Sequence, residues 1–473
     1  MPALLVLVFC LHAALFAQTD DLNHLKYWSY RQRLVNTFMV VGPEPGQSIP
    51  AGIRNLWNGP ALHFGDAPVY MGYYIGVLST EYRLLADRQQ PAERTLTELF
   101  YALEAINRLD EEAEPLWGVP NAHHERNGFI IQSDIPADFC QRYTTALNSH
   151  LGKQMVNTGS GIGGMVNNVV GGLDTADNHN NTCSQDQIAN LLIGLALCVK
   201  LAPDMTQFRD ELTGITRSYS FRESAKEIAG RLLSYMRDTP YGGLAWTLHA
   251  PDGVRLSNGK GGNARPNAYG FAAAGKWITG KEYADFTSRF THFYWKAIYA
   301  RPVLRLHPDD LLFGLELSPI GDSWRGAGSK SKTVLRINRC ASYDVSKKLK
   351  LWPENKFGWD YFFEALCCTL HDSVTFEGPG ADSSKARLML DQAPVQGPFY
   401  HNPSDRAAAG WAGSSGRFYD TPPNQEKGKN GFEGNYNGLD YMLCYNLYRL
   451  LSETSNKQAD KRPYQMPGGF PNE

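Results

Sequence analysis

Tyr70-Met71-Gly72-Tyr73-Tyr74-Ile75-Gly76-Val77-Leu78 is the stretch that decides the fold class. Tyr70, Tyr73, Tyr74, Val77, Leu78 and Leu85 recur at helical spacing on one face. The segment is apolar or aromatic around most of its girth, so the helix it forms is buried on several sides. Gly72 and Gly76 let a neighbouring backbone approach closely. After the break at Gln89-Gln90-Pro91, a second stripe follows at Leu96, Leu99, Phe100, Leu103 and Ile106. Two helices joined by so short a link lie antiparallel.

The same period returns along the chain. Stripes occur at Ile188, Leu191, Leu192, Leu195 and Val199, then at Ala225, Ile228, Ala229, Leu232, Leu233 and Met236. Others lie at Tyr283, Phe286, Phe290 and Tyr294, and at Trp359, Phe362, Phe363, Leu366, Cys367 and Leu370. The last, Leu439, Met442, Leu443, Leu447, Leu450 and Leu451, carries Tyr441, Tyr445 and Tyr448 on a second face. Helices apolar nearly all round that alternate with amphipathic ones fit an inner ring enclosed by an outer ring. The expected class is mainly all-α, as an (α/α) toroid of about five to seven hairpins, although no fixed-period repeat is present.

The 473 residues contain 46 basic and 48 acidic side chains, a net charge of −2, which gives no general attraction to nucleic acid or anionic lipid. The apolar run Ala3 to Phe16, ending in Ala17 before Gln18-Thr19-Asp20-Asp21, is too short to span a bilayer. It fits a cleaved secretory signal over 1–17, although no Lys or Arg precedes it and a buried helix is the alternative. Residues 18–473 are then a single secreted or periplasmic domain, with no membrane partner after cleavage. Phe9 before Cys10 is a poor match to a lipoprotein processing site. The seven other cysteines are odd in number, widely spaced and without a CxxC pair, so they form neither a disulfide scaffold nor a zinc site. Cys198, Cys367 and Cys444 fall in apolar helical patterns, where a thiol acts as a small hydrophobe. Whether one or two disulfides form is left open.

The connections are uneven. Gly128 to Asp134 reads as a short strand, and Leu244 to His249 with Val254 to Leu256 flank a turn at Ala250-Pro251-Asp252-Gly253, as in a β-hairpin. His371 to Gly438 is rich in Gly, Pro, Asn and Ser, with a weak helical piece near Lys385 to Leu390. These long loops are expected at one rim. Gly159 to Gly164 spells GxGxxG, but no strong strand precedes it, so no nucleotide cofactor is inferred. HExxH, GxxxxGK[ST] and GxSxG are absent from the sequence. Asp174 and Asp177 sit in an oxygen-rich stretch that suits either calcium or a solvated turn, and it lacks EF-hand spacing. His123-His124-Glu125 reads as adjacent loop histidines pointing apart more readily than as a metal site.

Two carboxylates stand at the ends of helical segments. Asp134 precedes Ile135-Pro136, and Asp186 lies in Ser184-Gln185-Asp186-Gln187, ahead of the Ile188 stripe. Ser184 and Gln187 form a capping-box pattern, which puts Asp186 in a first turn where the dipole favours an anion. Such a residue serves as a cap, or as a general acid if burial or Asp134 raises its pKa. An exported helical-hairpin chain with two aspartates so placed resembles the (α/α) toroid carbohydrate enzymes, especially unsaturated glucuronyl hydrolases. The resemblance covers the layout and these two positions. It implies that Asp186 is the acid/base and Asp134 its partner in hydrating an unsaturated uronic-acid end. The long Gly/Asn-rich loops depart from that family and leave the substrate and the reaction open.

Loop aromatics Trp246, Trp324, Tyr400, Trp411, Phe418 and Tyr419 offer faces for stacking on sugars, or pack beneath their own loops. With His123, His124, His401 and Arg417 they complete the candidate substrate-binding set. The expected function is a glycoside hydrolase acting on an oligo- or polysaccharide by carboxylate acid/base catalysis. The alternatives are a non-catalytic glycan-binding protein, a protein-binding helical scaffold, and a lyase that uses a Tyr400/His401 base with an arginine.

Overall fold

The computed structural model describes residues 22–56, 59–64, 67–117, 124–136, 138–143, 183–238, 248–249, 264–283, 358–371, 387, 390–391, 393, 434–435, 437–455 and 464. They are mostly helical. The long helices are α1 over 22–33, α2 Ala67–Ala86, α3 Glu93–Glu111, α4 Gln185–Leu201, α5 Phe221–Asp238, α6 Ala264–Thr279, α7 Gly358–Leu370 and α8 Leu439–Ser455. None is long and apolar enough to cross a membrane. Of the helices expected from periodicity, α2, α3, α4, α5, α7 and α8 form where their stripes lie. Tyr283 is not helical, and Phe286, Phe290 and Tyr294 lie outside the described residues. The signal segment and the hairpin turn at 250–253 also lie outside them.

Helix α2 is central. Seventeen of its 20 residues are buried, against eight of 18 in the more amphipathic α5. Its glycines explain how it packs. A Cβ on Gly72 would overlap the carbonyl oxygen of Asn190, and one on Gly194 would overlap that of Gly72. The α2 and α4 backbones therefore touch at Gly72/Gly194, which no larger residue permits. One turn further on, Gly76 faces Leu197 of α4 and Leu443 of α8, and Asn446 Nδ2 donates to Thr80 Oγ1 at 3.0 Å. These pairings make α2, α4 and α8 run in the same direction. Helix α3 returns antiparallel, with Thr95 bonded to Glu81 and Tyr74 to Glu98. Helix α5 packs on α4 and α3, and α7 packs on α8 and α4.

A buried ion cluster ties α1 to this frame. Arg31 Nε lies 2.8 Å from Glu81 Oε2 and its Nη2 lies 3.0 Å from Glu98 Oε2, with all three side chains at most 4% exposed. Tyr27 and Thr95 donate to Glu81, Tyr74 donates to Glu98, and Arg94 bridges to Glu98 from α3. Burial alone would lower the guanidinium's pKa. Glu81 and Glu98 outweigh it and hold Arg31 well above its ordinary value.

Two small antiparallel sheets complete the frame. β1 (Gly52–Leu56) pairs with β2 (Gly59–His63), and a short β5 (Gly434–Asn435) joins its other edge at Ile53 and Arg54. β3 (Met205–Arg209) pairs with β4 (Thr216–Ser220) around Asp210, which accepts from Tyr101, Thr213 and Arg217. The expected strand at 128–134 does not form. Only an isolated bridge occurs there, because Ile131 N–H is spent on the helix-end carbonyl of Leu109 and Ile130 O on Cys183 N–H. Among the described residues Cys198, Cys367 and Cys444 are buried in helices, as the apolar pattern requires.

The helix contact sets an order of sensitivity. Gly72→Ala and Gly194→Ala force a methyl into backbone, and each is expected to cost about 3 kcal/mol or more. Gly76→Ala meets only side chains, at 3.1–3.3 Å, and is expected to cost about 1 kcal/mol or less. Urea unfolding ranks the three, and a Gly72→Ala chain as stable as the parent contradicts the close contact. Arg31→Met leaves Glu81 and Glu98 facing each other without their cation. Its expected loss is about 3–5 kcal/mol by the same measurement.

Candidate functional site

The parallel course of α2, α4 and α8 brings their N-termini to one end of the bundle. The C-terminus of antiparallel α3 arrives at the same end. There Cys183 N–H donates to Ile130 O at 3.3 Å, so the segment running to Asp134 lies beside the first turn of α4. Asp186 is the second residue of that helix. The capping box of Ser184 and Gln187 forms, with Ser184 N–H donating to Gln187 Oε1 at 2.9 Å. Buried polar side chains concentrate in these two segments: Gln132, Ser133 and Asp134 in one, Ser184, Gln185 and Gln187 in the other.

Asp134 is 4% exposed and its oxygens are engaged. Arg108 Nε donates to Oδ2, Arg108 Nη2 to Oδ1 at 3.3 Å, and the Gly46 N–H to Oδ1 at 2.9 Å. The same guanidinium donates to Pro43 O at 2.9 Å and Gln47 O at 3.0 Å. Arg108 is thus a latch that fastens the 42–48 loop to Asp134. Gly46 needs its left-handed φ of +82° and has Phe139 against its α-carbon. Ser48 adopts a left-handed φ of 60°, uncommon for a non-glycine residue, and its hydroxyl closes the loop on Gly42. Neither Arg108 nor this loop was singled out from the sequence. Arg108 and Asp134 stand 26 positions apart, with no local sign that they pair.

The same end of the bundle holds a further carboxyl that sequence reasoning also missed. Asp440 lies in the first turn of α8 and is 3% exposed. Its Oδ1 accepts the Tyr441 N–H at 2.7 Å, and Oδ2 has no hydrogen-bond partner among the described residues. Burial pushes its pKa up to about 8, and hydrogen bonds from the Tyr441 and Asp440 backbone offset only part of that. Asn437 Nδ2 donates to Ala51 O at 2.9 Å, and Ala51 N–H donates to Phe38 O, so this corner joins α8 to β1 and to the end of the helical segment Leu34–Phe38.

The other candidates fall elsewhere. His124 is on the exposed surface beyond α3, with Nδ1 3.0 Å from Glu112 Oε1, and is not drawn in beside Asp134. His123, Trp246, Trp324, Tyr400, His401, Trp411 and Arg417 lie outside the described residues, as do Asp174, Asp177, Phe418 and Tyr419. Among the described residues no group of three or more His, Cys, Asp or Glu side chains is placed to hold a metal.

Asp440 gives a pH dependence whose sign follows from burial. Between about pH 4 and pH 8 the folded chain keeps a proton that the unfolded chain has released. This stabilisation is complete below about pH 4 and is lost as pH rises through 8. Asp440→Asn removes the titration, so its stability relative to the parent is expected to rise from pH 4 to pH 8 and then level. A gap on the order of 2 kcal/mol or more is expected at pH 9, and thermal unfolding across that range would show a flat difference if the carboxyl were ordinary. The sequence matches no protein-family model, no curated protein and no solved structure.

Proposed function

We propose that the chain is an exported carbohydrate-active hydrolase, built as an (α/α) toroid and acting on an oligo- or polysaccharide at the rim of Asp134 and Asp186. The observation that carries this reading is the bond from Cys183 N–H to Ile130 O, which sets the Asp134 segment against the helix start that bears Asp186. Support for the toroid comes from three nearly encased helices running side by side in one direction, with the last, α8, packed on the first of them, α2. Helices α3 and α5, running the opposite way, supply an outer layer. Support for export comes from the apolar run over 1–17.

In this reading the two carboxyls divide the work. Asp186, on the first turn of α4, exchanges the proton with the glycosidic oxygen or the attacking water. Asp134 is its anionic partner, oriented by Arg108 and the Gly46 N–H. Loop aromatics supply stacking faces for the sugar rings.

Product analysis on a panel of neutral oligosaccharides and unsaturated glucuronyl disaccharides tests the reading. A new reducing end without new ultraviolet absorbance, or loss of the absorbance of an unsaturated end, is the expected result. New absorbance from an intact polymer means elimination, and retention without cleavage means a binding protein. Asp186→Asn is expected to lower turnover by a factor on the order of 10² or more with stability unchanged. Asp134→Asn is expected to lower turnover and also stability, by about 3 kcal/mol, because Arg108 loses its buried partner. Full activity in both variants removes the assignment.

A further inference from the structure

Tyr464 is held as a ligand is held, by side chains drawn from three separate parts of the frame. It belongs to no helix or strand, so no backbone ladder fixes its place, yet it is wholly buried. Each of its polar groups is met. Its N–H donates to Gln90 Oε1 at 2.7 Å in the link between α2 and α3, its carbonyl accepts from Trp28 Nε1 of α1 at 2.9 Å, and its hydroxyl donates to Asn446 Oδ1 of α8. The ring centroid lies 5.5 Å from that of His24, 5.6 Å from Tyr27 and 5.7 Å from Trp28. The Arg88 guanidinium stands over the ring at 5.7 Å, within cation–π range.

The hydroxyl sets what the site accepts. Asn446 is itself wholly buried, and its Nδ2 is spent on Thr80 Oγ1, the Tyr27 hydroxyl and Val77 O. Among the described residues Tyr464 is the donor to its Oδ1, so an occupant without a hydroxyl leaves a buried acceptor unmet. The mouth of the site reaches the surface, because Arg88 and Gln90 are half-buried and Gln89 and Pro91 beside them are exposed. It lies toward the C-terminal end of α2, away from Asp134 and the start of α4, and does not depend on the saccharide reading. We propose that this socket between α1, α8 and the α2–α3 link is a peptide-binding site selective for tyrosine, and that the segment around Tyr464 is its built-in, exchangeable occupant. Tethering gives the occupant a high effective concentration, which a free peptide of the same sequence must overcome.

Fluorescence anisotropy of a labelled synthetic peptide spanning 459–470, titrated with full-length protein, tests this. The Tyr464→Ala chain has lost its own occupant and is expected to bind the peptide saturably. The parent is expected to bind it at least about tenfold more weakly, because its tethered Tyr464 competes. A peptide with Tyr464→Phe is expected to bind the Tyr464→Ala chain about tenfold more weakly than the tyrosine peptide, and one with Tyr464→Ala to show no saturation. A folded Tyr464→Ala chain that does not take up the tyrosine peptide overturns the inference. So does equal binding by that chain and the parent, which places the peptide elsewhere, and so does equal affinity for the tyrosine and phenylalanine peptides. If the Tyr464→Ala chain does not fold alone, the tyrosine peptide is expected to restore its cooperative thermal unfolding. Failure to restore it makes Tyr464 a fixed part of the core and overturns the inference equally.

Discussion

The contact between the backbones of α2 and α4 at Gly72 and Gly194 is the constraint on which the rest of the structure depends. Side chains on two ordinary helices hold their axes about 8–10 Å apart, and removing both Cβ atoms at the crossing lets the main chains meet. Because Gly72 meets Asn190 and Gly194 while Gly76 meets Leu197, the two helices run in the same direction and their N-termini lie at the same end. Gly76 then leaves room for Leu443, which aligns α8 with the pair. That packing brings positions 186 and 440 to one end of the bundle, and the bond from Cys183 N–H to Ile130 O brings the Asp134 segment to the same end.

A frame this dry tolerates charge only where the charge is enclosed by partners. Arg31 lies between Glu81 and Glu98, each of which takes further donors from Tyr27, Thr95, Tyr74 and Arg94. Paired in this way the ions add little net stability, but each makes loss of the other costly. The cluster therefore fixes the positions of α1, α2 and α3 more than it strengthens the fold. Asp210 and Arg108 do the same at the β3–β4 turn and at the rim. Asp440 is the exception among these carboxyls, being buried with one oxygen unmet.

Helical period was enough to find α2, α3, α4, α5, α7 and α8, since each carries an unbroken apolar stripe. Helix α1 escaped notice because Asn23, Lys26 and Arg31 are buried polar residues whose partners, Asp391, Leu390 and Glu81, are remote in sequence. Helix α6 was hidden by Arg265, Pro266 and Asn267 in its first turn and by Gly270 and Gly275. The β1–β2 and β3–β4 hairpins lack apolar alternation, with Met205 and Ile215 turned outward. Phe129-Ile130-Ile131 looked like a strand because a buried irregular segment and a strand share composition. At the rim, the Ser184/Gln187 cap showed where Asp186 must stand. Arg108 and Asp440 were illegible, because tertiary pairing and burial have no short-range signature.

The residues that recur throughout are those that turn a packing solution into a polar end. The close helix contact sets direction, the Arg108 latch fastens the 42–48 loop to Asp134, and the capped start of α4 brings position 186 to the same end. If this end is where the protein works, a saccharide must sit against the N-termini of α4 and α8. A crystal structure of the Asp186→Asn protein with a bound oligosaccharide measures that directly. The sugar should lie at this end of the bundle with hydroxyl or glycosidic oxygens within about 3.2 Å of residue 186. A sugar bound at the opposite end of the helices, or on the outer faces of α3 and α5, would contradict it.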